Sequence, residues 1–570
     1  MFFQQSQGII MKKMFSLFTA VIGLTIGVFS QAPTPIVPDS ILQGEIGKNV
    51  KLHNTKIYGL KGYVYVNEGG VLEIEPGTII VGDEPGTNSA LIINRGGKII
   101  AEGTRKDPIV FTSKATAGQR NRGDWGGVII CGKAKTNHPG GQAAIEGGIA
   151  DGTTGGKGWF GGTDDNDNSG ILKYVRIEFA GIAVSPNNEL NGLTLGAVGR
   201  GTTIQYVQVS YGNDDSFEWF GGCVNAKYLV SIGTLDDDFD TDNGFSGNIQ
   251  FGLAQRFRTI ADVSTSQTFE SDNDAQASYN KPMTSAIFSN ITGIGPIQDT
   301  SWTQGSSPNQ FNPRFGAAVQ IRRNSRQSIQ NSVFIGWPRA IDIAQVPTMI
   351  AAAGDSIKIL NNSWFGIKGA TLTLAGGTPP TGITPEWLLQ KKFGNVVEKS
   401  TPDLAMIQNP FIYGPDFNPA LIETSPLREG ASFEGLITTD GFFQPVSFRG
   451  AFGIERWDLG WTEYDPVNKE YKAKTPVSVQ EETYQSTVNV YPNPSKTSSV
   501  IRYNLQQDDN ITIQLSTETG TIVSTFIKNE TQTAGIYEFN LITSDLRSGM
   551  YFITIIGGNG IMNLPISVVK

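Results

Sequence analysis

Apolar residues recur two apart along most of this chain. Val64 and Val66, Leu72 and Ile74, Leu91 and Ile93, and Ile109 and Phe111 are alternating pairs, the mark of strands with one buried face. Between them stand Glu68-Gly69-Gly70, Glu75-Pro76-Gly77 and Arg95-Gly96-Gly97. Strands this short, with turns of similar length, do not suit a hairpin sandwich, whose turn signals come about every 8–12 residues. Longer echoes follow. Leu172-Lys173-Tyr174-Val175-Arg176-Ile177 is repeated in kind by Ile204-Gln205-Tyr206-Val207-Gln208-Val209 and by Ala226-Lys227-Tyr228-Leu229-Val230-Ser231, with the tyrosines 32 and 22 residues apart. Asn331-Ser332-Val333-Phe334 matches Asn362-Ser363-Trp364-Phe365 at a spacing of 31. A β-rich unit every 20–30 residues or so cannot bury its inward face alone, so neighbouring units must stack. The pattern predicts a right-handed parallel β-helix over residues 33–370, with the repeats plain from about residue 45.

The pattern changes after that. Residues 371–465 are irregular and rich in Pro, Phe and Gly, a composition suited to covering the last open coil of a solenoid. One short helix is expected from Glu386 to Phe393, between Thr384-Pro385 and Gly394. Residues 466–486 are polar and aperiodic and read as a linker. Residues 487–570 hold seven short alternating runs, from Val488–Tyr491 to Ile561–Val569. Such a series predicts a small antiparallel β-sandwich, so the whole chain reads as all-β.

Composition narrows the picture. There are 68 Gly and 28 Pro in 570 residues, and DEKR make up only 17%, which argues against coiled coils and helix bundles. A hydrophobic content of 39% supplies a core. A net charge of −9 excludes a non-specific nucleic-acid binder. With 2 His and 2 Cys, zinc sites of the Cys/His kind are excluded. Met11-Lys12-Lys13, the apolar run Phe15 to Phe29 and Ser30-Gln31-Ala32 form a secretory signal peptide over residues 1–32, with Met11 as the start and cleavage after Ala32. No later stretch is apolar enough to span a bilayer, so the mature chain is expected to be soluble and exported. Cys131 and Cys223 both sit in apolar, strand-like settings and read as two buried thiols rather than a disulfide.

The last unit resembles the type A C-terminal sorting domain of the type IX secretion system, found in Gram-negative Bacteroidetes. The residues that carry the resemblance are Val490-Tyr491-Pro492-Asn493-Pro494, Ser548-Gly549-Met550-Tyr551 and the closing Ile566-Ser567-Val568-Val569-Lys570. It implies a sorting signal centred on Tyr491, Pro492, Asn493, Pro494, Gly549 and Lys570. It also implies passage through periplasm and outer membrane to the cell surface or the medium, and the type IX machinery as a partner. The upstream region resembles a family of uncharacterised bacterial β-helix proteins. Leu72-Glu73-Ile74-Glu75-Pro76-Gly77-Thr78, Gly123-Asp124-Trp125-Gly126-Gly127, Tyr174 to Gly181, and Asp214 to Gly222 carry this second likeness.

The acidic clusters are the main candidate chemistry. In an extended 236–242 segment, Asp236, Asp238, Asp240 and Asp242 share one face with neighbours about 7 Å apart. Their mutual repulsion calls for a hard cation, and Ca²⁺ takes six to eight oxygen ligands. Asp165 and Asp167, with Ser169 and Gly170, match the first positions of a calcium loop, but Arg176 stands where a bidentate Glu belongs. The repeated Trp-Phe-Gly-Gly puts Trp159, Phe160, Glu218, Trp219 and Phe220 forward as a glycan-binding face. Paired carboxylates also suit glycoside hydrolysis. However, His53 and His138 lie outside the acidic stretches, and a calcium lyase of this fold would need a basic proton abstractor, for which Arg322, Arg323 and Arg326 are conceivable. Three functions follow in order: a surface or secreted binder of glycans or other surfaces stabilised by Ca²⁺, a polysaccharide lyase or hydrolase, and a purely structural surface component.

Overall fold

The computed structural model describes residues 34–150, 152–185, 188–434, 441–475, 489–505, 508–517, 522–557 and 560–570. The expected signal peptide and its cleavage site lie outside these residues, as does most of the expected linker. The chain divides into two compact units, Met1–Lys474 and Thr475–Lys570.

In the first unit, 26 strands join one continuous sheet whose pairings are all parallel, each strand bonded to its counterparts in the coils before and after it. This is a parallel β-helix. The three tyrosine repeats stack in register, Val175 against Val207 and Val207 against Leu229. The Asn331 and Asn362 match is one residue out, because Val333 pairs with Ser363 and Phe334 with Trp364. Asn331 is thus equivalent to Asn361, and both have positive φ, at 53° and 56°.

That shared φ belongs to a column. Tyr174, Tyr206, Tyr228, Phe251, Asn290, Asn331 and Asn361 occupy the left-handed region, with φ from 52° to 63°. There the long strands bend. Gly170–Glu178 pairs with Lys98–Glu102 before Tyr174 and with Ile109–Thr112 after it. Asn enters this conformation readily, but an aromatic residue does so at about 1–2 kcal/mol. Stacking offsets the cost: the Tyr174, Tyr206 and Tyr228 rings lie 4.4 Å apart, nearly parallel, and Phe251 continues the stack at 5.1 Å.

Three sheet faces result. Inward positions such as Leu193, Leu195, Phe217, Trp219, Phe239 and Phe269 fill the bore. One outer face, bearing Val230, Ile232, Leu253, Ile294, Val333 and Ile335, is covered by residues between Ala405 and Tyr464. The aromatic-rich segment therefore splits in role. Ile383, Trp387, Leu388 and Phe393 close the last coil, and the rest runs along the flank. The expected helix over Glu386–Phe393 is instead two 3-10 turns, Trp387–Leu389 and Lys391–Phe393, because Gln390 turns extended at ψ 130°. An α-helix the periodicity did not signal, Val346–Ala353, follows the strand Arg339–Ala344.

The second unit is a sandwich of seven antiparallel strands. Asn489–Tyr491, Ser498–Leu505 and Gly535–Ile542 form one sheet. Asp509–Thr517, Ile522–Gln532, Gly549–Gly557 and Gly560–Val568 form the other. Its core is built on Ile501, Ile513, Leu541, Ile553 and Ile566.

Candidate functional site

Another outer face, built on Ala90–Ile93, Val128–Cys131, Leu193–Gly196, Phe217–Phe220, Phe239–Asp242 and the strands in register after them, is apolar in its first half and acidic in its second. Ile92, Ile129 and Cys131 point outward early on and are buried under an excursion of the chain that contributes Ile145, Ile149 and Phe160. The excursion folds back through a hairpin that pairs Ala143 with Phe160 and Ala144 with Trp159. Arg95 holds it through Gln142 and the carbonyls of Gly155 and Gly161. Past this flap the outward row reads Thr194, Glu218, Asp240, Glu270, Gln320 and Asp342, each in register with the next. A parallel neighbour sits about 4.8 Å away, so carboxylates are stacked coil upon coil.

The corner before this row carries a second acidic series with a structural duty. The Asn191 Oδ1 accepts from the Asp215 N–H (3.2 Å), Asp215 Oδ1 from the Asp237 N–H (2.7 Å), and Asp237 Oδ1 from the Gln267 N–H (2.5 Å). Each of these three side chains satisfies the backbone of the next coil, which explains why the corner selects Asn or Asp there.

Together row and corner enclose a pocket of carboxylates. One oxygen from each of Asp215, Glu218 and Asp240 lies within 4.8 Å of the others, and so do oxygens of Asp214, Asp215 and Asp236. Asp215 belongs to both groups. Glu146, from the flap, reaches the same place: Asn191 Nδ2 donates to Glu146 Oε1 at 2.8 Å and also to Glu218. Among the described residues, these six carboxylates have no ion pair. The basic groups stand further along, where Arg322 pairs with Glu270 and with Asp272 (3.0 Å), and Arg323 with Asp272 (2.6 Å).

Burial first, and neighbouring negative charge second, push Asp214, Asp215, Glu218 and Asp240 well above the ordinary carboxyl range. Burial raises Asp236 to about 6 and, aided by the charge of Asp272, raises Asp242 to about 7. Burial also lifts Glu270 to about 8, despite the opposing charge of Arg322. Two polar atoms on the row are buried and have no hydrogen-bond partner: Asp240 Oδ1 and Thr194 Oγ1. Thr194 is 1% exposed, and an orphaned polar atom of this kind costs about 1–3 kcal/mol.

The sequence-based site is redrawn by this geometry. Asp238 does not share a face with Asp240 and Asp242. It turns into the bore, fully buried, where Ser231 Oγ donates to it at 2.6 Å and Arg256 pairs with it at 3.2 Å. The extended strand begins only at Phe239, so the alternation does not reach back to Asp238. Asp236 and Asp240 enter the two acidic groups, whereas Asp242 lies beside Phe220. Asp165 and Asp167 are elsewhere: Asp165 pairs with Lys135 at 2.6 Å, and Asp167 accepts from Ser169 Oγ at 3.2 Å.

The glycan-binding face fares similarly. Trp219 is fully buried in the bore against Phe217 and Phe245, because period-2 alternation turns Glu218 and Phe220 outward. Phe160 is also buried, between His138 and Phe220, and Trp159 is half-buried on the hairpin. Glu218 is the one residue of that set in the acidic pocket. His138 arrives beside the face through the flap, where burial lowers its pKa against the opposing charge of Asp274. Glu146, Asp214 and Asp215 join the cluster without being among the metal candidates of the sequence. Only Asp214 and Asp215 carried a sequence signal, their adjacency to Glu218. Both cysteines are free and buried.

In the second unit the predicted sorting residues gather at one end. Asn493 Nδ2 donates to the Pro565 carbonyl and its Oδ1 accepts from the Ser567 N–H, both at 2.9 Å. The Lys570 N–H donates to Ser548 Oγ at 3.1 Å, and its ammonium donates to the Ser544 carbonyl. The opening motif is thus bonded to the closing strand.

No curated protein matches this chain. Residues 489–566 match the secretion system C-terminal sorting domain, which implies interaction with the type IX machinery and export to the cell surface or the medium. No described helix is long and apolar enough to cross a membrane. Residues 44–377, more than half of the chain, match the pectate-lyase-like β-helix domain, and on the stacked parallel coils and this match together the chain belongs to that family.

Proposed function

We propose that this exported protein is a binding protein rather than an enzyme. In this reading its acidic pocket takes a divalent cation of the Ca²⁺ kind and, with it, the hydroxyl groups of an extracellular glycan. The observation that carries the reading is the set Glu146, Asp214, Asp215, Glu218, Asp236 and Asp240, crowded together with no ion pair among the described residues. The donors fit a hard cation: all are oxygens, carried by separate coils and by the flap, and Thr194 Oγ1 and Asp240 Oδ1 still lack a partner. Asp215, Glu218 and Asp240 would hold the cation, which would neutralise the pocket and offer coordination sites to sugar hydroxyls. Melting with Ca²⁺ and with chelator, followed by retention on a glycan array, tests this reading. An unchanged melting temperature removes the cation, and absence of retention removes the glycan.

A second reading, glycoside hydrolysis, is favoured by one observation. Glu270, at about 8, keeps its proton at neutral pH, and Asp242, at about 7, keeps it in about half of the molecules, as a general acid must. New reducing ends from a polysaccharide panel, lost in Glu270→Gln, would put this reading first.

A further inference from the structure

Residues 441–474 run back along the flank of the solenoid, against the direction in which the coils were laid down. Near its start, Arg449 donates to Ser363 Oγ at 2.9 Å and to the Gly394 carbonyl at 3.1 Å, both in the last coils. Next, the Ala451 N–H donates to Thr292 Oγ1 at 2.8 Å. Glu463 exchanges two hydrogen bonds with the Gln208 side chain, at 2.6 and 2.8 Å. Arg120 then holds the carbonyls of Pro466 and Lys469, each at 2.7 Å. At the far end the Lys474 N–H donates to the Asn54 carbonyl at 2.9 Å, and its ammonium pairs with Asp107 at 2.7 Å. Residues 466–474, expected to be linker, are therefore bonded to the first coils.

The strongest of these fastenings is Tyr471. Its hydroxyl lies 2.7 and 2.8 Å from the two oxygens of Glu178, its one proton shared between them, and Glu178 is fully buried. The ring has the Arg120 guanidinium over it at 4.9 Å and that of Arg176 at 5.7 Å. Tyr471 and Ala473 also pack on Ile36, Ile57, Ile79 and Val81.

In a solenoid each coil touches only its neighbours, so the ends open independently of the middle. We infer that the segment Glu463–Lys474 is a longitudinal clip that ties the N-terminal coils to the rest of the solenoid and makes them open together. The clip also acts at a distance on the opposite face. The flap that carries Glu146 is rooted in those same coils, through Arg95, through Asn94 Oδ1 accepting from the Gly158 N–H (2.9 Å), and through Tyr65 donating to the Ile149 carbonyl (2.8 Å). Loosening the clip on one face thus releases the base of the flap on the other.

Hydrogen exchange on the full chain tests the clip. Tyr471→Phe removes the hydroxyl that, beside the Arg176 ion pair at 3.1 Å, bonds Glu178 to the clip, and keeps the ring. Exchange in 57–66, 79–81, 109–112 and the flap amides Ile145 and Gly158 should then rise roughly tenfold or more, while 291–294 and 333–335 stay as in the wild type. Lys474→Ala, at a half-exposed site, should show the same division with a smaller rise, and serves if Tyr471→Phe does not fold. Equal acceleration in all coils, or none in the N-terminal ones, would overturn the inference.

Discussion

Metal-free stability should fall as pH rises from acid to mildly alkaline, and Asp242→Asn should remove a definable share of that fall. Asp242 lies half-buried on the acidic face, and burial with the charge of Asp272 lifts its pKa from 3.8 to about 7. Between these two values the folded state keeps a proton that the unfolded chain has released. A folded state that binds more protons loses stability as pH rises, so this contribution is lost steadily from about pH 4 and is gone above about pH 7. At about 1.4 kcal/mol per unit, a shift of roughly three units sets a ceiling of about 4 kcal/mol. Asparagine has the same shape, and its Oδ1 can still accept from the Asn243 N–H, as Asp242 does at 2.5 Å. With chelator present, thermal melting followed by circular dichroism should therefore find Asp242→Asn more stable than wild type by up to about 4 kcal/mol at pH 8.5, by about half of that at pH 5.5, and indistinguishable from it only near the unfolded pKa of 3.8. A variant with the wild-type pH slope, or one less stable at pH 8.5, would refute the assignment.

Three further outcomes are expected. Because Asp215 belongs to both acidic groups, Asp215→Asn should abolish any rise in melting temperature with Ca²⁺; saturation at 100 times Kd would otherwise add about 2.7 kcal/mol. Arg256→Met should cost about 3–5 kcal/mol in denaturant unfolding, since it strands the buried Asp238 carboxylate without its cation. Trp219→Ala should cost about 3–5 kcal/mol through the cavity it leaves in the bore. A loss of glycan retention at unchanged stability would instead place that ring on the surface.

Much of the architecture was legible because a solenoid writes its contacts locally. The Tyr174, Tyr206 and Tyr228 repeats could be aligned by eye, and they pair in that register. The Asn331 alignment slipped by one because two asparagines, Asn361 and Asn362, stand side by side, and only backbone conformation singles out the first. The sorting unit was equally plain, since its opening and closing motifs are short, specific and bonded to one another. The candidate site was half legible. Acidic residues announced themselves by density, but alternation on paper assigned Asp238 to the outside, and the start of a strand cannot be seen in a run of aspartates.

Period-two alternation, turn glycines and repeat length together determined a stacked β-solenoid with a β-sandwich behind it, because inward and outward positions follow from covalent geometry once a strand is formed. Which carboxylates meet was decided only in three dimensions. Glu146 lies 72 positions from Glu218 in the chain, and it is the packing of Ile145 and Ile149 on Ile92 and Ile129 that brings it there. Tyr471 likewise finds Glu178 across 293 residues. Strand rules act between residues two apart, whereas a flap or a clip is placed by the apolar surface it covers, and that surface exists only after the coils have stacked.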